Sequence, residues 1–599
     1  MSTVLLLVVP DRVARVMPAG TRAVVLAALV GAATAGCSEP VAVSHSPESS
    51  SAAAQAAGPA PLPVTGRSMV TTRYGIVAAS SPLAARAGTQ MLERGGHAVD
   101  AAIAANAVLN VVEPAMNGIG GDLFAIVYDA KSDQVFGLNA SGWTPAALTA
   151  ERLRQQGLTE LARDIHAVTV PGAVAGWDAL HSRFGRLALR DSLAPAMRYA
   201  EEGFPVSDVV AREWDFWKEI LTKTDNAKAT YLVDGTRAPA AGEIFRNPDL
   251  ARSLRRIAAN GRDGFYRGET AEAILALSAS LGGTMTADDL TAFEAEWVAP
   301  IETTYRGWTV SEIPPNSQGI AALMMLDIMA QSPIGEWGFH SPRAMHTMIE
   351  AKKLAYADML RYVGDPRGAS VPVSALLSPE HAKARAALID PQKAACAVEP
   401  AQLAGVTTSK GNDTIYLTVI DREGNIVSLI QSIYQAFGSG LVPEGTGFAL
   451  HNRGQLFTLE AGHPNELGPR KRPVHTIIPA FMRKDDMRVG FGIMGGWNQA
   501  QAHAQFVSNI ADHGMNLQQA LEAGRFTKAT FDGCDVQIEP SVPAATRDAL
   551  TALGHQLKVE GPRTGIFGWG QAVMGRANGV HFGASEPRHD GAAIPEAPQ

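Results

Sequence analysis

Residues 415 to 433 constrain this chain more than any other stretch. Ile415, Leu417 and Val419 alternate with Tyr416, Thr418 and Ile420, the period-two pattern of a strand. Asp421 to Asn425 then reads as a turn, and Ile426 to Ile433 as the partner strand. Such a hairpin holds Thr414 at its open end, with Ser432 across from it. A threonine hydroxyl is a weak nucleophile. It becomes an effective one when the threonine is the first residue of a chain and its own α-amine serves as the base. That chemistry requires a cut between Asp413 and Thr414, so the hairpin has two readings: an ordinary strand pair, or a nucleophile mount exposed by cleavage.

Seven further segments bear on the choice. They are Leu83 to Pro114, containing Glu93-Arg-Gly-Gly-His-Ala-Val-Asp-Ala-Ala; Asn117-Gly-Ile-Gly-Gly-Asp122; Val170-Pro-Gly-Ala-Val-Ala-Gly-Trp177; Ile313-Pro-Pro-Asn-Ser-Gln-Gly319; Glu350-Ala-Lys-Lys-Leu-Ala-Tyr-Ala-Asp358; Gly468-Pro-Arg-Lys-Arg-Pro473; and Met494-Gly-Gly496. In these segments, in their order, and in the Asp413-Thr414 junction between the fifth and sixth, the chain resembles the γ-glutamyltransferase family of N-terminal nucleophile hydrolases. The resemblance runs from about Tyr74 to about Ala593.

It implies an α/β fold, the αββα four-layer sandwich built from two autocleaved pieces, here 71–413 and 414–599. It also implies roles. Thr414 attacks an amide carbonyl after cleavage from Asp413, and Ser432 is the hydroxyl that bonds the nucleophile. Gly495 and Gly496 give backbone N–H groups to the oxyanion, glycine letting the backbone approach closely. His475 and Thr476 fall where members carry hydroxyl-bearing substrate contacts.

The departures from the pattern concern substrate. The arginine that clamps a glutamyl α-carboxylate is replaced by Ser141 in Asn139-Ala-Ser-Gly-Trp-Thr-Pro145, the aspartate for the α-ammonium aligns with Leu456, its neighbouring glutamine with Arg453, and an asparagine with Tyr434. Losing one charge-assisted contact costs roughly 1.5–3 kcal/mol. Arg453 and the Arg470-Lys471-Arg472 run are the compensating cations, Arg453 reading either as a carboxylate clamp or as a surface ion pair. The pattern is similar to the branch that includes cephalosporin acylases. The sequence therefore predicts an amidohydrolase or acyltransferase acting on γ-glutamyl-type amides such as glutathione, with a glutaryl- or oxamate-type acylase, or a non-catalytic binding lipoprotein, as alternatives.

The rest of the chain sets boundaries. Arg22, the apolar stretch 23–33 and Ala35-Gly36-Cys37 read as an export signal resembling a lipobox, although Thr34 departs from it. This predicts a signal peptide over 1–37, lipidation of Cys37, a flexible Ser/Ala/Pro-rich tether over 38–70, and a periplasmic, lipid-anchored protein. A net charge of −8 with no basic run interleaved with aromatics excludes a nucleic-acid partner. The expected partners are a small amide, an acceptor (water, an amino acid or a dipeptide) and the chain's own second piece. No His/Cys cluster has metal-ligand spacing, so no cofactor or catalytic metal is expected. Cys396 and Cys534 remain, and spacing leaves open a disulfide or two buried thiols. Helices are expected at Leu83–Glu93 and Ala98–Val112, then strands near 123–138, a helical middle, and mostly strands from Thr414 to the helices near Ala500 and Leu517.

Overall fold

A computed structural model describes residues 61–63, 65–401 and 414–598, so Cys37 and Asp413 lie outside the described residues. Two seven-stranded antiparallel sheets form its centre. The first runs Ala592–Pro595, Ile76–Ala79, Ile415–Ile420, Ile426–Ser432, Asp122–Asp129, Gln134–Ala140, Glu296–Val298. The second runs Val70–Thr72, His581–Ser585, Gly570–Gly575, Met487–Ile493, Ala480–Lys484, Trp308–Glu312, Ile301–Tyr305. Strand Ile415–Ile420 packs across the interface on Gly570–Gly575 and Met487–Ile493. Gly492 makes this contact possible, because a Cβ there would fall 2.4 Å from the Tyr416 ring.

Helices cover both outer faces, giving the four expected layers. Pro82–Glu93 and Ala98–Val112 lie on the first sheet; Gly319–Ala330 and Gln499–Ala511 lie on the second. All fifteen residues of Ala98–Val112 are buried, and its alanines let it pack closely against its neighbours. It starts at a capping box: Asp100 accepts the His97 N–H at 2.8 Å and His97 Nδ1 accepts the Val99 N–H at 3.1 Å.

The alternation in 415–420 suggests one wet face, yet all six residues are buried. The strand is central in its sheet and the sheet is covered on both sides, so Tyr416 and Thr418 find partners inside: Tyr416 Oη lies 2.7 Å from Ser428 Oγ, and Thr418 Oγ1 donates to the Val427 carbonyl at 3.0 Å. Burying each of Ile415, Leu417, Val419 and Ile420 contributes roughly 1.5–3 kcal/mol. The last residues read as tether are held: Arg67 donates to the Ser585 carbonyl at 3.0 Å, and Val70 opens the first strand.

The expectation of strands throughout 414–500 fails between Ile433 and Pro479, where the only regular element is a short 3-10 turn at Arg453–Leu456. Left-handed backbone at Tyr434, Phe437, Gly438, Gly440, Gly445 and Gly447 breaks any ladder. The segment is nevertheless fixed, with Phe437 N–H donating to the Ala115 carbonyl at 2.7 Å and His451 N–H to the Gly120 carbonyl at 3.0 Å.

Cys396 and Cys534 form a disulfide, with Cα atoms 4.6 Å apart. They lie on opposite sides of the 413/414 junction in sequence. A chain cut there is thus expected to migrate as one species in denaturing gels without reductant and as two with it. Cys534→Ser is expected to give two species under both conditions while still eluting as one particle in native size exclusion, because the strands of the two pieces alternate within both sheets.

Candidate active site

Register places the hairpin end. Ile415 pairs with Gln431, so the next position sets Thr414 opposite Ser432, and Ser432 in turn pairs with Asp122 on the following strand. Thr414 is fully buried. Its Oγ1 accepts a hydrogen bond from Gln499 Nε2 at 3.2 Å, while Gln499 Oε1 accepts the Ile478 N–H at 3.1 Å.

Arg453 is the hub. Its guanidinium donates to Ser432 Oγ at 2.7 Å and to Thr476 Oγ1 at 2.7 Å, and lies 4.6 Å from the Tyr434 ring centroid. It is completely buried, which overturns the surface ion-pair reading. Ser432 Oγ also accepts the Tyr434 N–H at 2.8 Å, which fixes the hydroxyl against the backbone beyond its own strand. The other cations read as candidates are committed elsewhere: Arg470 bonds Asp288, and Arg472 donates to Glu296 at 2.6 Å and to the Ser141 carbonyl at 2.9 Å.

Gly495 and Gly496 adopt φ of 125° and 58°, which a side chain would strain. Among the described residues neither glycine N–H has an acceptor in the protein. Gln318, in the Ile313–Gly319 segment, pins this loop to the Arg453 hub: its Nε2 donates to the Gly496 carbonyl at 2.7 Å and to the Thr476 carbonyl. Tyr356 Oη donates to the Trp497 carbonyl at 2.5 Å.

His475 requires a correction. Both ring nitrogens are used within the protein: Nδ1 accepts the Ile477 N–H at 3.3 Å, so Nε2 carries the proton and donates to Asp122 Oδ2 at 3.0 Å. Nothing on the ring is left for a substrate. Burial first, then the Arg453 charge, pushes its pKa down to about 3. Asp122 also faces His451 Nδ1 at 3.3 Å and accepts the Gly142 N–H at 2.8 Å, and against its burial the two histidines hold its carboxyl well below the usual range. A buried anion and a buried guanidinium thus both act on one neutral imidazole.

The structure brings together Thr414, Ser432, Tyr434, Arg453, Thr476, Gly495 and Gly496. Sequence reasoning missed Gln499, Gln318 and Asp122 as individuals, although Gln318 and Asp122 close quoted motifs and Gln499 follows the glycine pair by three residues. Among the described residues one group of metal-type donors occurs, His346, Glu350 and His555. It is closed on itself, with His346 Nδ1 2.8 Å from His555 Nε2 and Lys353 Nζ 2.6 Å from Glu350, an ammonium in the place a cation would take. We assign no metal there.

Burial also depresses His503 and His555 to about 3. The unfolded chain protonates these histidines near 6.5 while the folded one does not, so it binds more protons between about pH 6.5 and 3 and stability falls with pH in that window. The melting temperature is therefore expected to drop steadily from pH 6.5 to pH 4, and replacing His503 with Gln is expected to flatten that slope.

A gamma-glutamyltranspeptidase family model matches residues 84–596. The chain is 36% identical over 536 residues to the glutathione hydrolase-like YwrD proenzyme of Bacillus subtilis, covering 88% of this chain and 99% of that one. It is 34% identical over 530 residues to the oxamate amidohydrolase proenzyme of Klebsiella pneumoniae, covering 87% and 98%. The crystal structure of cephalosporin acylase from Bacillus halodurans superposes with a TM-score of 0.83 at 41% identity, covering 90% of this chain and 99% of the acylase. The chain belongs to the gamma-glutamyltranspeptidase family and is an autoprocessed N-terminal nucleophile amidohydrolase of that family.

Proposed function

We propose that the enzyme, cut between Asp413 and Thr414, hydrolyses amides whose acyl part carries a carboxylate but no α-ammonium, of the glutaryl or oxamate type. One observation carries this reading: the buried Arg453 guanidinium bridges Ser432 and Thr476, while the apolar, buried Leu456 stands where an ammonium would need an anion. A guanidinium beside the nucleophile can hold a carboxylate bidentately. An ammonium carried into a site walled by Leu456 and facing Arg453 would be desolvated without compensation. The relatives named for oxamate and for cephalosporin acylation support the same direction.

The proposed reaction runs from the residues in place. Thr414 Oγ adds to the amide carbonyl and passes its proton to the freed Thr414 amine. The N–H groups of Gly495 and Gly496 receive the oxyanion, and Ser432, opposite Thr414 in the hairpin register, aligns Oγ. The carbon–nitrogen bond breaks, the leaving amine takes the proton, and water then cleaves the acyl ester. Thr476 fixes the guanidinium that reads the acyl carboxylate. The leader-like sequence and Cys37 support export and anchoring through a lipid, and with them a periplasmic setting for this activity.

Four substrates decide between the readings: glutaryl-, γ-glutamyl- and valeryl-p-nitroanilide, and oxamate assayed by ammonia release. The glutaryl amide or oxamate is expected to exceed the γ-glutamyl amide in kcat/KM by at least about tenfold. Arg453→Met is expected to lower turnover of the carboxylate-bearing substrates by about one to two orders of magnitude, the loss of one charge-assisted contact. It should change the valeryl amide much less. Preference for the γ-glutamyl amide would overturn this assignment and restore the glutathione reading. Thr414→Ala is expected to leave the chain uncut in intact-mass spectra.

A further inference from the structure

We infer that Gln499 is a catalytic residue, a fixed hydrogen-bond donor to the nucleophile oxygen in both self-cleavage and turnover. The inference rests on the amidohydrolase reading above and adds a group to its machinery.

The argument starts from how the amide is oriented. Gln499 is fully buried, so its amide must find partners inside the protein. The Ile478 N–H can only donate, and it meets the side chain at 3.1 Å, which makes that atom the carbonyl oxygen Oε1. The other end is then the NH2 group, and it faces Thr414 Oγ1 at 3.2 Å. A glutamine here therefore has a single orientation. It acts only as a donor to the hydroxyl and cannot take its proton, so the base must be another group.

Position reinforces this role. Gln499 is the first residue of helix Gln499–Ala511, entered directly from the Gly496–Asn498 turn. The positive end of a thirteen-residue helix dipole thus lies within one side chain of Thr414 Oγ. Two fields favour negative charge on that oxygen, and both are rigid before reaction.

Charge appears on Oγ twice. In acylation the Oγ–carbon bond forms as the proton moves to the amine and the carbon–nitrogen bond breaks. In deacylation water adds, the carbon–Oγ bond breaks, and Oγ leaves with negative charge before the ammonium returns the proton. In self-cleavage the Asp413 carbonyl is the electrophile: the bond from Oγ to that carbon forms, the bond from the carbon to the Thr414 nitrogen breaks, the released nitrogen takes up the hydroxyl proton, and water then hydrolyses the ester. A donor held on Oγ lowers each barrier, whereas a contact serving only to fix the helix would leave the chemical steps unchanged.

The test uses the full-length enzyme with Gln499→Met and Gln499→Glu. The methionine has similar volume and no donor. Expected are self-cleavage and kcat each lowered by about tenfold to a hundredfold, KM changed by less than about threefold, and a melting temperature that falls only modestly, because the Ile478 N–H loses its acceptor. The glutamate is near-isosteric, and only its protonated form can donate to Oγ. Its activity relative to wild type is therefore expected to be low at pH 8 and to recover as pH falls toward 5.5. Cleavage and turnover of Gln499→Met within threefold of wild type would overturn the inference, as would a Gln499→Glu to wild-type ratio that does not vary with pH. Should the methionine variant fail to fold, that ratio alone decides. A wild-type chain that stays uncut in the same preparation overturns instead the amidohydrolase reading beneath it.

Discussion

The arrangement depends on one strand, Ile415–Ile420, being buried on both faces at the centre of a two-sheet core. A peptide bond beside Thr414 can be broken without loss of the fold only if the new end is held by something other than the bond that was cut. The strand has ladder partners on both sides, from Ile76–Ala79 and Ile426–Ser432. Its side chains are locked against the second sheet and the helix layer. The Cys396–Cys534 link adds a covalent tie away from the junction. Thr414 is therefore positioned by the tertiary structure, with no contribution required from the preceding residue.

Around that fixed point the charges that the structure describes are interior: Arg453 and Asp122 are each completely buried, and Asp122 accepts a hydrogen bond from neutral His475. In a low-dielectric interior an uncompensated charge costs several kcal/mol, so each ion must be saturated by directed hydrogen bonds. Asp122 meets two imidazoles and a backbone N–H, and Arg453 donates to the Ser432 and Thr476 hydroxyls. Gln318 couples this charge network to the glycine loop by donating to the Thr476 and Gly496 carbonyls.

Much of this was legible in the chain. Period-two and helical spacing, local properties that burial does not erase, marked the hairpin, its turn and the two small-residue helices, and the family resemblance carried by the order of motifs implied the αββα sandwich. Other features were not legible. The run from 433 to 479 looked apolar enough for strands, but left-handed positions at Tyr434, Phe437 and several glycines are set by contacts with distant segments such as Ala115 and Gly120. His475 had the look of a substrate contact, and only the approach of Asp122, more than three hundred residues earlier, shows both its nitrogens to be engaged. Gln499 carried no signal beyond following the glycine pair.

The sequence by itself determined the strand that carries Thr414 and the paired glycines at 495 and 496, since residue type and short-range periodicity decide these, and the resemblance its motifs carry marked the replaced glutamyl head-group positions. Only the tertiary structure decided that Arg453 is interior, that Cys396 meets Cys534, and that Gln499 faces the nucleophile. Those are contacts between segments 20 to 140 residues apart. Their geometry is set by how the sheets and helices pack, which no local pattern in the chain encodes.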